Sequence, residues 1–137
     1  MESAFKLMLL AARAGIVQAA ANVGNFYDNG LGTKVNPNAA LRWYRLAYRG
    51  GDPSVANNIG CILRDAGKVN EALRWFYRAV RQRDGDANLN IANIFLSQKP
   101  HAAKAREYLR RAYRSKWATE GTREEARELL KKLGRRT

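Results

Sequence analysis

The chain has 137 residues and carries 25 Lys and Arg against 12 Asp and Glu, a formal net charge of +13. Hydrophobic residues at 46% and charged residues at 27% are those of a folded domain and exclude a disordered chain. The charge favours acidic partners, nucleic acid or anionic surfaces, while a single cysteine, Cys61, excludes a disulfide framework and fits a reducing, cytoplasmic setting.

The first expected element is an apolar helix over 3–14. Its run from Leu7 to Ala12, followed by Ala12-Arg13-Ala14, has some features of a secretory signal, but the run is short and Glu2 is acidic. Internal repetition explains the same residues better. No stretch is long enough and apolar enough to span a bilayer.

The next elements form hairpins, expected over 17–50, 53–83 and 86–115. The phrase ALRWYRLAYRGG at Ala40 returns as ALRWFYRAVRQR at Ala72, 32 residues later. Ala40, Trp43, Tyr44 and Ala47 fall on Ala72, Trp75, Phe76 and Ala79. Further copies stand 36 residues earlier, at Ala4, Leu7, Met8 and Ala11, and 33 later, at Ala105, Tyr108, Leu109 and Ala112. Small, large, large, small at offsets 0, 3, 4 and 7 is the apolar stripe of an amphipathic helix, here the B helix of each repeat. Between the copies lie AAANVGNFY, VANNIGCIL and ANLNIANIF, in which Val23, Ile59 and Ile91 correspond, as do Gly24, Gly60 and Ala92. These are the A helices, and their small residues let helix backbones approach. Asn36 before Pro37 is a helix start, Gly50-Gly51, Gly67 and Asp84-Gly85-Asp86 are breaks, and Thr122 with Glu125 reads as a capping box for a final helix over 122–133.

The repeat resembles the Sel-1-like repeat, a relative of the tetratricopeptide repeat. Residues Ala20 to Gly51 follow its pattern: Val23-Gly24, Tyr27, Gly30-Leu31-Gly32, the Asn36 cap, Ala40, Trp43-Tyr44, Ala47 and Gly51. The second copy replaces the Gly-x-Gly loop by Asp65-Ala66-Gly67-Lys68, and the third has Ala92 for Gly and Tyr108-Leu109 for the aromatic pair. The resemblance implies an all-α fold: a short right-handed α-solenoid of stacked antiparallel helix hairpins, one domain over 1–137, closed by the terminal capping helix. It also implies binding to other proteins. The expected structural core is Trp43, Tyr44, Trp75, Phe76 and Tyr108 with Gly24 and Gly60, because a hairpin cannot bury its own apolar face and fills the seam with large side chains.

Two surfaces are candidates for function. Asn22, Asn58 and Asn90 share one A-helix position, and Asn25 and Asn93 share the position three residues on. Asn is a poor residue for a helix interior, at roughly half a kcal/mol or more relative to Ala. In folds of this kind the A helices line the concave groove, where an amide can grip a peptide backbone; the same amides could instead bond one another and hold the stack. The second surface is a basic ridge on the B helices, made of Arg13, Arg42, Arg49, Arg74, Arg81, Arg110 and Arg114. It could hold phosphates, or its last-turn arginines could simply complement helix dipoles.

Catalysis is not expected. His101 beside Pro100 and Cys61 in an A helix form no nucleophile–base pair, no set of ligands has metal-binding spacing, and no cofactor motif is present, since Gly30-Leu31-Gly32 follows no strand. The expected function is a non-catalytic protein-interaction module, an adaptor, regulatory or bacterial immunity-type accessory protein that binds an acidic protein or peptide segment in the Asn-lined groove. The alternative is nucleic-acid or anionic-surface binding through the ridge. Self-association through the N-terminal helix, and a place in a longer repeat array, are further expectations.

Overall fold

A computed structural model describes residues 2–134; Met1 and residues 135–137, the ends of the expected domain, lie outside the described residues. Among the described residues there are eight α-helices and no strand, and the fold is all-α. The chain divides into two compact units between Ile62 and Leu63, within the fourth helix.

The first unit contains α1 (Glu2–Arg13), α2 (Val17–Asn29), α3 (Pro37–Arg49), a 3-10 turn (Pro53–Val55) and most of α4 (Ala56–Asp65). Gly30 ends α2 in the left-handed region at φ 68°, donating its N–H to the Phe26 carbonyl. Asn36 starts α3 as expected: its side chain accepts from the Ala39 N–H at 3.1 Å, with Pro37 in the first turn. Where α2 crosses α3, Gly24 is required. A Cβ there would lie 2.6 Å from Cδ1 of Tyr44, whose ring is fully buried and whose hydroxyl donates to Asp28 Oδ2 at 3.3 Å. Burial first, and the Asp28 carboxylate second, push the Tyr44 hydroxyl far above its ordinary pKa, so it stays protonated.

The second unit holds the end of α4 and α5 (Val69–Arg81), α6 (Ala87–Leu96), α7 (Ala102–Arg114) and α8 (Glu120–Gly134). Helix α7 packs between α6 and α8 around Leu89, Ala92, Leu109, Ala112 and Ala126, with Tyr108, Leu129, Leu130 and Leu133 at the margin. His101, the sole histidine, caps α7 by accepting the Lys104 N–H on Nδ1 at 3.3 Å. The last helix begins earlier than the expected 122. Thr119, not Thr122, is its cap, accepting the Thr122 N–H on Oγ1 at 3.3 Å, while its own N–H donates to Asp86 Oδ1 at 2.7 Å.

The repeat pattern has an internal hierarchy. In α3, α5 and α7 the alanines at offsets 0 and 7 and the residues at offset 4 (Tyr44, Phe76, Leu109) are fully buried, whereas Trp43, Trp75 and Tyr108 at offset 3 are half-buried. The tryptophans expected to fill the seam between hairpins are therefore only half-buried, and Trp75 carries the Arg78 guanidinium 4.5 Å from its ring centroid. In the A helices Val23, Ile59 and Ile91 are fully buried and Gly24 and Gly60 are buried.

Helix α1 departs from the expected register by one residue. Leu7 is 67% exposed and Ala4 is exposed, while Phe5, Met8 and Leu9 are half-buried and Ala12 is buried. The Phe5 ring meets Tyr27 edge-on at 5.3 Å and Phe26 at 6.2 Å. The inward stripe is thus Phe5, Met8, Leu9 and Ala12, because Phe5 packed against α2 buries more apolar area than Ala4 beside it would. The shift moves Arg13, a member of the expected ridge, out of step with Arg49 in the repeat.

Candidate functional site

In the first unit the A-helix asparagines are dispersed in environment. Asn22 is half-buried with Nδ2 at 3.7 Å from Met8 Sδ, Asn25 is exposed with Oδ1 accepting from Asn29 Nδ2 at 2.6 Å, and Asn58 is exposed.

The second unit builds a more definite site. Arg64, in the last turn of α4, donates through Nη1 to Asn90 Oδ1 of α6 at 3.3 Å and through Nε to Asp65 Oδ1 at 3.0 Å. Its side chain is 26% exposed and that of Asp65 is 71% exposed, so the cation is anchored on the helix side and its own partner sits in solvent. Beside it opens a cleft of about 440 Å³ lined by Arg64, Asp65, Asn93, Ser97 and Gln98. The Ser97 hydroxyl donates to the Asn93 carbonyl at 2.8 Å, leaving the half-buried Asn93 side-chain amide with no hydrogen bond to another described residue. One cleft therefore offers a guanidinium, an open carboxamide with both donor and acceptor, and the Gln98 amide. That set can grip a peptide group and a carboxylate together.

Arg64 was not marked by the sequence pattern. The signal that could have found it is a reversal of charge at one repeat position, Asp28 in the first hairpin becoming Arg64 in the second. Asp28 is absorbed by the Tyr44 hydroxyl, whereas Arg64 faces the cleft.

All seven ridge arginines, Arg13, Arg42, Arg49, Arg74, Arg81, Arg110 and Arg114, are exposed. On α7 a second cleft of about 340 Å³ is lined by Glu107, Arg110, Arg111 and Arg114. Cys61 is half-buried, and among the described residues no three His, Cys, Asp or Glu side chains cluster in a way that could hold a metal ion. No helix of the described residues is long and apolar enough to cross a membrane.

Comparison with known proteins finds one repeat family along most of the chain. The Sel1 repeat profile matches residues 1–16, 17–52, 59–84 and 99–116. An uncharacterized protein of Neisseria meningitidis serogroup B is 33% identical over 99 residues, covering 72% of this chain and 21% of that protein. A protein of Acanthamoeba polyphaga mimivirus described as sel1-like repeat-containing is 25% identical over 75 residues, covering 55% of this chain and 14% of that one. The chain thus spans under a quarter of the length of these curated relatives. The crystal structure of a Sel1 repeat protein from Oxalobacter formigenes superposes with a TM-score of 0.68 at 24% identity, over 97% of this chain and 62% of that chain, a likeness of fold. With four matched segments that together cover most of its length, the chain belongs to the Sel1 repeat family, whose members are generally non-catalytic protein-interaction modules.

Proposed function

We propose that this chain is an adaptor or immunity-type accessory module, acting in the cytoplasm, that holds an extended acidic segment of a partner protein on its A-helix face. Each unit, taken by itself, offers amides to a partner's backbone: Asn22, Asn25 and Asn58 in the first, and Asn90 and Asn93 in the second. The observation that carries the reading is the Arg64 cleft. A guanidinium held by Asn90 and paired with a largely exposed Asp65 sits beside the open Asn93 amide. An incoming carboxylate can replace Asp65 on Arg64 at little cost, because an exposed ion pair contributes no more than about 1 kcal/mol. The amide meanwhile satisfies a peptide group irrespective of its side chain. The net charge of +13 draws acidic partners over longer range.

The test is an array of extended peptides graded from acidic to basic, probed with wild type and with Arg64→Gln and Asn93→Ala at matched melting temperature. Acidic peptides should bind best, and Arg64→Gln should weaken them by about ten- to a hundredfold, the equivalent of one charge-assisted hydrogen bond. Equal binding of acidic and neutral peptides, or wild-type binding by both variants, contradicts the reading.

A further inference from the structure

The end of α7 and the turn after it read RRAYRSKW, Arg110 to Trp117, four cations and two aromatic residues in eight positions. Arg111 is engaged locally, paired with Glu107 at 2.7 Å and lying 4.8 Å from the Tyr108 ring centroid. Arg110 and Arg114 are not. One helical turn apart on the exposed side of α7, they have no carboxylate within ion-pair distance among the described residues, and they line the cleft of about 340 Å³. A rise of about 1.5 Å per residue sets their backbones about 6 Å apart, a spacing suited to neighbouring phosphates of an extended strand.

The two aromatic residues are large apolar groups left in solvent, Tyr113 at 47% and Trp117 at 50% exposure. Trp117 has cations against its ring from two directions in the chain, the Arg83 guanidinium at 5.2 Å and the Lys116 ammonium at 5.1 Å from its centroid. Arg83 is the one non-glycine among the described residues with positive φ, at 67°. A backbone in that region is strained for a residue with a Cβ, and such strain gathers where a side chain is aimed for use. The platform is also held firmly. The Trp117 N–H donates to Ser115 Oγ at 3.1 Å, and the turn lies so close to Gly85 that a Cβ there would stand 2.5 Å from the Ala118 nitrogen.

We propose that this surface binds single-stranded nucleic acid, with a base stacked on Trp117 and phosphates on Arg83, Arg110, Arg114 and Lys116. The pattern of exposed aromatic faces interleaved with unpaired cations is the one that follows a sugar-phosphate chain, in which every charge is accompanied by a flat base. An acidic peptide would use the cations and leave the indole idle. A membrane surface would want aliphatic side chains around the indole, and every other large apolar residue exposed in the described chain lies in the first unit. Arriving bases displace the Lys116 ammonium from the ring, and it then meets the phosphate. The site is separate from the Arg64 cleft and does not rest on the peptide reading.

The test is fluorescence anisotropy of labelled oligo-dT and oligo-U, and of a duplex, with the full chain at about 50 and about 200 mM salt, where phosphate contacts change most. Wild type should prefer the single strands. Trp117→Leu, which keeps apolar bulk and removes the indole, should weaken them by about five- to a hundredfold. Arg114→Gln should weaken binding and flatten its salt dependence. Arg64→Gln should change nothing, and the melting temperature of each variant checks its fold. The proposal is overturned by absent binding at the lower salt, by equal or better binding of duplex, or by wild-type affinity in Trp117→Leu. It is equally overturned if polyglutamate or phosphatidylserine vesicles displace the oligonucleotide as well as unlabelled oligo-dT does.

Discussion

Helices α1 and α7 are copies of the same repeat element and bury very different amounts of it. Helix α7 lies between α6 and α8, and Ala105, Leu109 and Ala112 are fully buried. Helix α1 packs chiefly on α2; only Ala12 is buried, and Leu7 and Leu10 are 67% and 65% exposed. The difference teaches that the phrase of small and large residues specifies a helix and its inward stripe, while the energy drawn from that stripe depends on how many neighbours close over it.

The largest effect should come from setting the two helices against each other directly. Leu109→Ala is expected to cost about 2–5 kcal/mol in urea unfolding, because the cavity opens between two packed helices. Leu7→Ala should stay within about 0.5 kcal/mol, and equal costs would break the comparison. Next comes the crossing of α2 and α3. Gly24→Ala drives a Cβ to within 2.6 Å of the buried Tyr44 ring and should cost about 1–3 kcal/mol. In α8, by contrast, a Cβ at Gly121 meets nothing within 4 Å, so Gly121→Ala should raise stability by roughly 0.5–1 kcal/mol through helix propensity.

The smallest effect is electrostatic and has a pH signature. Burial, with the Asp86 charge second, pushes the Asp84 carboxyl above its ordinary range. The folded state therefore holds that proton more tightly than the unfolded chain, and stability is lost as pH rises through the carboxylate range. Asp84→Asn should melt higher than wild type at neutral pH. The gap should close as pH falls below the usual aspartate value, where wild type is neutral in both states. A gap that persists in acid would mean that hydrogen bonding, not charge, governs the site.

The hairpin order and the inner stripe were legible because they rest on local period alone. At about 100° per residue, offsets 0, 7 and 4 fall within some 40° of one direction, and all three are buried in α3, α5 and α7. Offset 3 falls roughly 60° to the other side, which is why Trp43, Trp75 and Tyr108 lie at the edge although their size suggested the centre. The register of α1 was not legible, since the run LMLLAA offers two apolar stripes one residue apart and only the Tyr27 and Phe26 rings choose between them. Thr122 with Glu125 matched a capping box by local pattern alone, whereas the Thr119 N–H is fixed by Asp86, which is distant in sequence. The Asn rows were visible as repeats, but Arg64, which turns two of their members into a charged cleft, acts through a contact with Asn90 that no short-range pattern contains.

The most direct measurement on the proposed peptide site is a ¹H–¹⁵N titration of the labelled protein with the tightest acidic peptide from the array. The account predicts that the side-chain signals of Asn90, Asn93 and Arg64 Nε shift in a saturable way while those of Arg110, Arg114 and Trp117 stay in place. Shifts confined to the α7 arginines and Trp117, with the A-helix amides unmoved, would contradict it.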